Sequence, residues 1–464
     1  MMTHKLHHTI LALIVLAGAG LACNAPLPRT PTPTPAVALP TEARATPELT
    51  EPPTATDAAP TPPPEPSEEP SPTPEPVQRI VYTSAGQLWI VEGDLPERQL
   101  TAGPGDALPI ISPDGQWIVY RHDVDPHPAG PPRFELRLVA SDGGSEQVLV
   151  HPGDLPGEMG VPFEHDTEVM LDRLPAQVGW LPDSRTIMFN TNIEVGYGLA
   201  NKEDLWTIDI ESGATTSLLP DGQGGVFAIS PDGSRVVLGA PDMVSMARSD
   251  GSERRTLITF DRVNTASEWA YHPVAAWAPD SSFALVAISS SEPFGPTPSG
   301  TIWRLPIDGD AVQLTTLPGE FLFSSVSETM WSADRTRMAY TLLTDAASNT
   351  RDLVISHVDG DDLMVYATGE LGFLGWSTAG ASFTYWQDQP SQIYWGSLGT
   401  SPQRLSAPIS DAARVIHVHW LGADTVIYTV EEVDTFTIWA EHTDGTLREI
   451  ASGTGAYPDV DVAW

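Results

Sequence analysis

Ile229-Ser230-Pro231-Asp232-Gly233 closes one apolar run and opens another, and Ile111-Ser112-Pro113-Asp114-Gly115 repeats it almost residue for residue. Proline presets φ near −65° for the first turn position, aspartate bonds neighbouring backbone, and glycine accepts positive φ. Such a turn joins two antiparallel strands tightly. Trp180-Leu181-Pro182-Asp183-Ser184 and Trp277-Ala278-Pro279-Asp280-Ser281 are weaker copies, and Trp331-Ser332-Ala333-Asp334 keeps part of the pattern. Trp376 and Trp420 keep the aromatic anchor and lose the proline. The tryptophan supplies a large apolar plate for packing one sheet on the next.

Successive anchors from Ile111 to Trp464 lie 69, 49, 48, 54, 45, 44 and 44 residues apart. That period is expected of propeller blades. Each unit reads as four strands; between Trp180 and Ile229 they are 186–190, 204–210, 215–219 and 226–229. A second turn family, including Ser141-Asp142-Gly143, Ser249-Asp250-Gly251 and Thr443-Asp444-Gly445, falls between third and fourth strands. No helical period appears after Arg79. Val460-Asp461-Val462-Ala463-Trp464 reads as an anchor strand whose remaining strands come from the segment starting Ile80-Val81-Tyr82. The expectation is an all-β propeller of four-stranded blades over residues 79–464, closed by pairing N- and C-terminal strands. Eight blades are expected, with seven as the runner-up if a degenerate unit pairs differently.

The strand, Ser-Pro-Asp-Gly, strand pattern resembles the TolB-type, WD-repeat-like propeller family. A more distant similarity is to the propellers of the dipeptidyl-peptidase and prolyl-oligopeptidase group, whose hydrolase domain has no counterpart here. The first resemblance implies a part in an envelope complex.

Residues 1–22 read as an export signal: a basic start with Lys5, an apolar run from Ile10 to Leu21, and small residues before Cys23. The apolar run is too short to span a bilayer stably. Ala19-Gly20-Leu21-Ala22-Cys23 resembles a bacterial lipobox, although the leucine stands two rather than three positions before the cysteine. The resemblance implies lipidation at Cys23 and a chain held at the outer face of the cytoplasmic membrane or the cell surface. Cleavage after Ala17-Gly18-Ala19 would instead leave Cys23 an unmodified thiol. Residues 23–78 are a proline- and threonine-rich linker with almost no core-forming residues. Extended as polyproline II, it would reach on the order of 150 Å. The net charge is −38 and the only lysines are Lys5 and Lys202. Such a surface repels phosphate backbones, so nucleic acid is not an expected partner.

In this register the short turns lie on one face, while the second-to-third-strand loops and the blade crossings lie on the other. Long insertions at 121–133, 151–176, 190–203, 262–273, 289–300 and 317–328 all fall on the second face, where binding residues are expected. Its candidate ligand-binding residues are His122, Asp123, His127, His165 and Asp166, with Trp269, Tyr271 and His272 as a possible stacking group. Imidazole beside carboxylate suits a transition metal, but the spacing matches no site template, and solvated loop residues are the competing reading. Asp359-Gly360-Asp361-Asp362 lacks the ligand spacing of a calcium loop and reads as a turn. No cofactor is firmly implied, with calcium or a transition metal left open. The chain carries no Gly-x-Ser-x-Gly elbow, His-Glu-x-x-His, phosphate loop or dinucleotide fingerprint. Two function classes follow: a module binding a protein, peptide or glycan of the cell envelope, or an enzyme using a His/carboxylate site on a polysaccharide or peptide.

Overall fold

The computed structural model describes residues 78–463 except 125–132, 163–166, 196–197, 325–327, 411–412 and 456–457. Eight blade sheets follow one another along the chain, each running from an inner strand outward. Blade 1 is Asp106–Ile111, Trp117–Asp123, Phe134–Ala140 and Glu146–Val150. Blades 2, 3 and 4 begin at the inner strands Arg173–Trp180, Val226–Ile229 and Ala275–Trp277. In blade 5 the inner strand shrinks to one antiparallel bridge, Trp331 with Met338, beside three full strands. Blades 6 and 7 begin at Leu371–Trp376 and Arg414–Leu421. The only helical turns among the described residues are Phe321–Ser324 and Glu328–Met330. No described helix is long and apolar enough to cross a membrane.

Blade 8 is composite, as the sequence predicts. Val460–Ala463 is its inner strand and pairs antiparallel with Arg79–Ser84, with Arg79 opposite Ala463 and Tyr82 opposite Val460. Gln87–Glu92 and Arg98–Gln99 complete it. Pairing the two chain ends leaves no inner edge open for another chain.

The turn motif works through two side chains. Ser112 Oγ donates to Asp114 Oδ1 at 2.6 Å, Gln116 N donates to the same oxygen at 3.0 Å, and Trp117 N donates to Ser112 Oγ at 3.0 Å. Ser230 with Asp232 and Ser332 with Asp334 repeat this arrangement. Hydroxyl and carboxylate thus satisfy the backbone donors that a tight turn leaves over. Ser184, Ser281 and Arg335 take the position of the glycine and keep its left-handed conformation, with φ of 54°, 60° and 58°. Each reaches the preceding blade: Asp114 N donates to Ser184 Oγ, Asp232 N to Ser281 Oγ, and Arg335 Nε to Trp277 O.

Each blade interface has its own apolar cluster, and there are eight such clusters around the ring. Val119, Leu136 and Leu138 of blade 1 meet Trp180, Ile187 and Phe189 of blade 2. The ring is completed by Val81 and Leu88 against Ile111 and Ile118, and by Ile80 and Tyr82 against Ile427 and Phe436. Second strands are sandwiched on both faces, which explains continuous apolar runs such as Val236-Val237-Leu238, all buried. Each such side chain contributes roughly 1.5–3 kcal/mol on burial. Three anchor tryptophans add a directional link: Trp180, Trp277 and Trp376 donate their indole N–H to the carbonyls of Ile110, Ala228 and Met330 in the preceding blade.

The chain enters the propeller on the short-turn face. Gln78 O accepts from Gly93 N at the third-to-fourth-strand turn of blade 8, and Arg79 lies against the Gly115 turn of blade 1. The opposite face carries the long insertions. Two of these are built structure rather than loop: Glu158–Gly160 pairs with Val169–Leu171, and Thr186–Val195 extends to pair with Gly198–Asn201. Sequence reading ended that strand at Asn190 because the segment beyond is polar; it continues because the hairpin supplies its own backbone partners. Arg173 stitches this region together. Its guanidinium is 8% exposed and donates to Asp204 at 2.9 Å, to both Asp221 oxygens and to Pro156 O. Lys202 Nζ adds contacts to Glu158 and Asp221.

Candidate functional site

Four inner strands break register near their starts. The shifts lie between Ala107 and Ile110, Pro175 and Val178, Phe373 and Gly375, and Ile416 and His419. A bulge leaves residues outside the ladder and re-aims their side chains. Pro109 and Pro175 have no N–H for a ladder, and a bulge is where a strand tolerates them. Leu108 and His417 sit in these bulges in the left-handed region, at φ 51° and 50°. Asp459 lies beside both: its Oδ2 accepts from Leu108 N at 2.9 Å, and its charge acts on the His417 ring.

The bulges of blades 1, 2 and 7 wall a cavity of about 710 Å³ that opens on the long-loop face, formed by the inner strands of blades 1, 2, 3, 7 and 8 with the loop ends of blades 1 and 2. Its lining is mainly aliphatic, with Leu108, Ile110, Leu174, Pro175, Val178 and Leu199. Leu108 and Leu199 are more than half exposed, at 55% and 59%. The rings that border it, Tyr120 and Phe134, are buried at 1% and 8%. Arg121 stacks on Phe134 at 4.1 Å and pairs with Asp123 at 2.9 Å. Among the amides, Gln177 is spent on the backbone of Phe227, and Asn190 on Gln177 N and Gly225 O. Asn192 Oδ1 is buried without a partner among the described residues. Burial lowers the pKa of His417, against the pull of Asp459 and of the Pro458 carbonyl.

The residues singled out in the sequence fall into separate places. His122 ends the second strand of blade 1 and meets Asp106 Oδ1 at 2.6 Å through Nδ1, while Thr101 Oγ1 also donates to Asp106. Burial raises the Asp106 pKa even so. Asp123 is held by Arg121, and its N–H donates to Gly105 O. His151 Nδ1 pairs with Glu135 at 2.8 Å. Trp269, Tyr271 and His272 lie in the crossing from blade 3 to blade 4. Trp269 is 39% exposed, whereas Tyr271 is buried with Val263 and Leu322 and its hydroxyl bridges Ala287 O and Ser289 N. His272 Nε2 stands 3.7 Å from Glu203. Cys23, His127, His165 and Asp166 lie outside the described residues. Asp359 accepts from Asp361 N in a plain turn, and Asp362 pairs with Arg337. Among the described residues no group of three or more His, Cys, Asp or Glu could hold a metal ion.

The described residues singled out from sequence do not line this cavity. Of the motif at 121–127, Arg121 reaches the lining. Leu108, Asn192, Leu199, His417 and Asp459 were not singled out. The available signal was a proline inside a strand, at 109 and at 175, which marks a bulge.

A second cavity of about 690 Å³ opens on the same face, between blades 4, 5 and 6. Phe294, Phe373 and Trp386 line it together with Arg351, Glu320 and Asn349.

No protein-family model matches the chain, and no curated protein sequence matches it. Solved structures do resemble it in fold. Oligogalacturonate lyase in complex with manganese is 16% identical over 68% of this chain and 81% of its own, with a TM-score of 0.42. TolB from Acinetobacter baumannii is 15% identical over 61% of each chain, with a TM-score of 0.32. Porphyromonas gingivalis dipeptidyl peptidase 4 is 13% identical over 76% of this chain and 54% of its own, with a TM-score of 0.45. These are likenesses of propeller architecture.

Proposed function

We propose that the protein is an exported, lipid-anchored β-propeller that binds peptide segments of envelope proteins through the cavity on its long-loop face. The single observation that carries this reading is the lining: aliphatic side chains left exposed in a concave site, beside an amide oxygen with no partner among the described residues. Apolar peptide side chains fit the first, and a peptide N–H fits the second. A glycan would need exposed ring faces, and the rings bordering this cavity are buried.

A peptide library titrated against the full chain tests the binding claim. Leu199→Glu places a charge at an exposed lining position and is expected to weaken binding at least tenfold while thermal unfolding stays unchanged. Equal affinity in that variant would overturn the assignment. The anchor is tested separately by Cys23→Ser, which is expected to move the protein from the membrane fraction to the soluble one and to abolish labelling by a fatty-acid analogue.

A further inference from the structure

We propose that the second cavity is a separate binding site for a short, uncharged oligosaccharide. Its walls differ in kind from those of the first. Phe294 projects from the 290–298 loop of blade 4 and is 56% exposed. Phe373 and Trp386 face the same space from blade 6, both half-buried. Gly372 makes room for the indole: a Cβ there would lie 2.4 Å from Trp386 Nε1. Phe373 also packs on Trp376 and Phe383, so Phe294 is the ring most available beside the cavity, and an exposed ring is suited to stack on the C–H face of a pyranose.

The polar side of the cavity is fixed before any ligand arrives. Arg351 Nε donates to Glu320 Oε2 at 2.6 Å, Nη2 to Glu320 Oε1 at 3.3 Å, and Nη1 to Asn349 O and Oδ1 at 3.4 and 2.5 Å. These four bonds leave one of five guanidinium N–H donors for a ligand oxygen. The Asn349 amide oxygen retains a lone pair for a ligand hydroxyl. A planar array of donors and acceptors matches neighbouring sugar hydroxyls, and its orientation costs nothing further on binding. Because Glu320 neutralises Arg351 inside a chain of net charge −38, the site favours a neutral sugar over a uronate.

The test uses the full chain labelled with 5-fluorotryptophan, with the Trp386 fluorine resonance assigned through Trp386→Phe. Neutral tri- to hexasaccharides of the gluco, manno, xylo and N-acetylglucosamine series are titrated in. The expected result is that at least one shifts the Trp386 resonance saturably, and that Phe294→Ala, a change at an exposed position, weakens that ligand at least tenfold with unfolding unchanged. Arg351→Met is expected to weaken it similarly. The proposal is overturned if no sugar in the panel shifts the resonance, if the same shift comes only from apolar peptides, or if Phe294→Ala titrates like the parent. Because the readout sits at Trp386, its failure leaves the peptide reading of the first cavity to be judged by Leu199→Glu.

Discussion

Asp461 Oδ2 accepts a hydrogen bond from Ile111 N at 2.7 Å, joining residues 350 positions apart across the seam of the ring. Leu108 N donates to Asp459 two residues earlier. The inner strand of blade 8 is therefore bonded to blade 1 as well as to Arg79–Ser84, and closure depends on both. Removing residues 458–464 opens one edge and uncovers the Ile80 and Tyr82 cluster, on which Val460 and Val462 pack. Such a truncated chain is expected to lose its cooperative thermal transition; a compact, cooperatively unfolding product would contradict a closed ring.

The same aspartate gives a pH signature. Burial raises its pKa, against the hydrogen bonds from Ile111 and Val462. A carboxyl raised in the folded state contributes stability that is present at low pH and lost as pH rises through the folded value. Asp461→Asn keeps an acceptor for Ile111 N and cannot ionise. It is expected to be more stable than the parent at pH 8, with the gap closing as pH falls toward 4 in denaturant titrations.

His419 acts in the opposite sense. Its Nε2 is buried without a partner among the described residues, and burial with the neighbouring His417 pushes its pKa down to about 4. A base lowered in the folded state contributes stability above its ordinary value near 6.5, which is lost as pH falls toward 4. The loss is on the order of 3 kcal/mol across that window. His419→Phe is expected to flatten the acid limb of the stability curve, as measured by urea unfolding between pH 7 and 4.

Arg173 is the least replaceable cation in the long-loop face. Substituting methionine leaves the Asp204 carboxylate, 1% exposed, without its counter-charge. A loss of about 3–5 kcal/mol is expected, as for other broken buried pairs. Adding Asp204→Asn should recover part of it. Hydrogen exchange at Glu158–Gly160 should rise in the single variant, since Arg173 also holds Pro156 O.

Two tryptophans separate packing from hydrogen bonding. Trp180 donates to Ile110 O, whereas Trp331 Nε1 is buried with no partner among the described residues. Phenylalanine removes similar volume at both. Trp180→Phe is expected to cost about 1 kcal/mol more than Trp331→Phe, because it alone strands a carbonyl. Equal costs would mean that the indole N–H contributes nothing.

Gly115 shows how much of a turn is local. Its φ is +70°, and a Cβ there would lie 2.2 Å from Arg79 Nη1. The positive φ was legible from Pro113-Asp114-Gly115 alone; the Arg79 contact was not, because it comes from blade 8. The same division runs through the site. Long insertions announced the face on which the cavities open, but His122 and Asp123, prominent as a polar motif, are occupied by Asp106 and Arg121. Tyr271, grouped with Trp269 as a stacking candidate, is core.

The repeat, the composite closing blade and the face carrying the insertions were legible in the sequence, which favoured eight blades and left seven open. Each follows from chemistry that spans a few residues: proline and glycine dihedrals, Ser–Asp turn bonds, and the period between anchors. Tertiary structure alone decided where the cavities lie. The first depends on ladder slips at Leu108 and His417 and on side chains from blades hundreds of residues apart, the second on side chains between Pro293 and Trp386 from three successive blades, and short-range pattern carries no record of which side chains will meet.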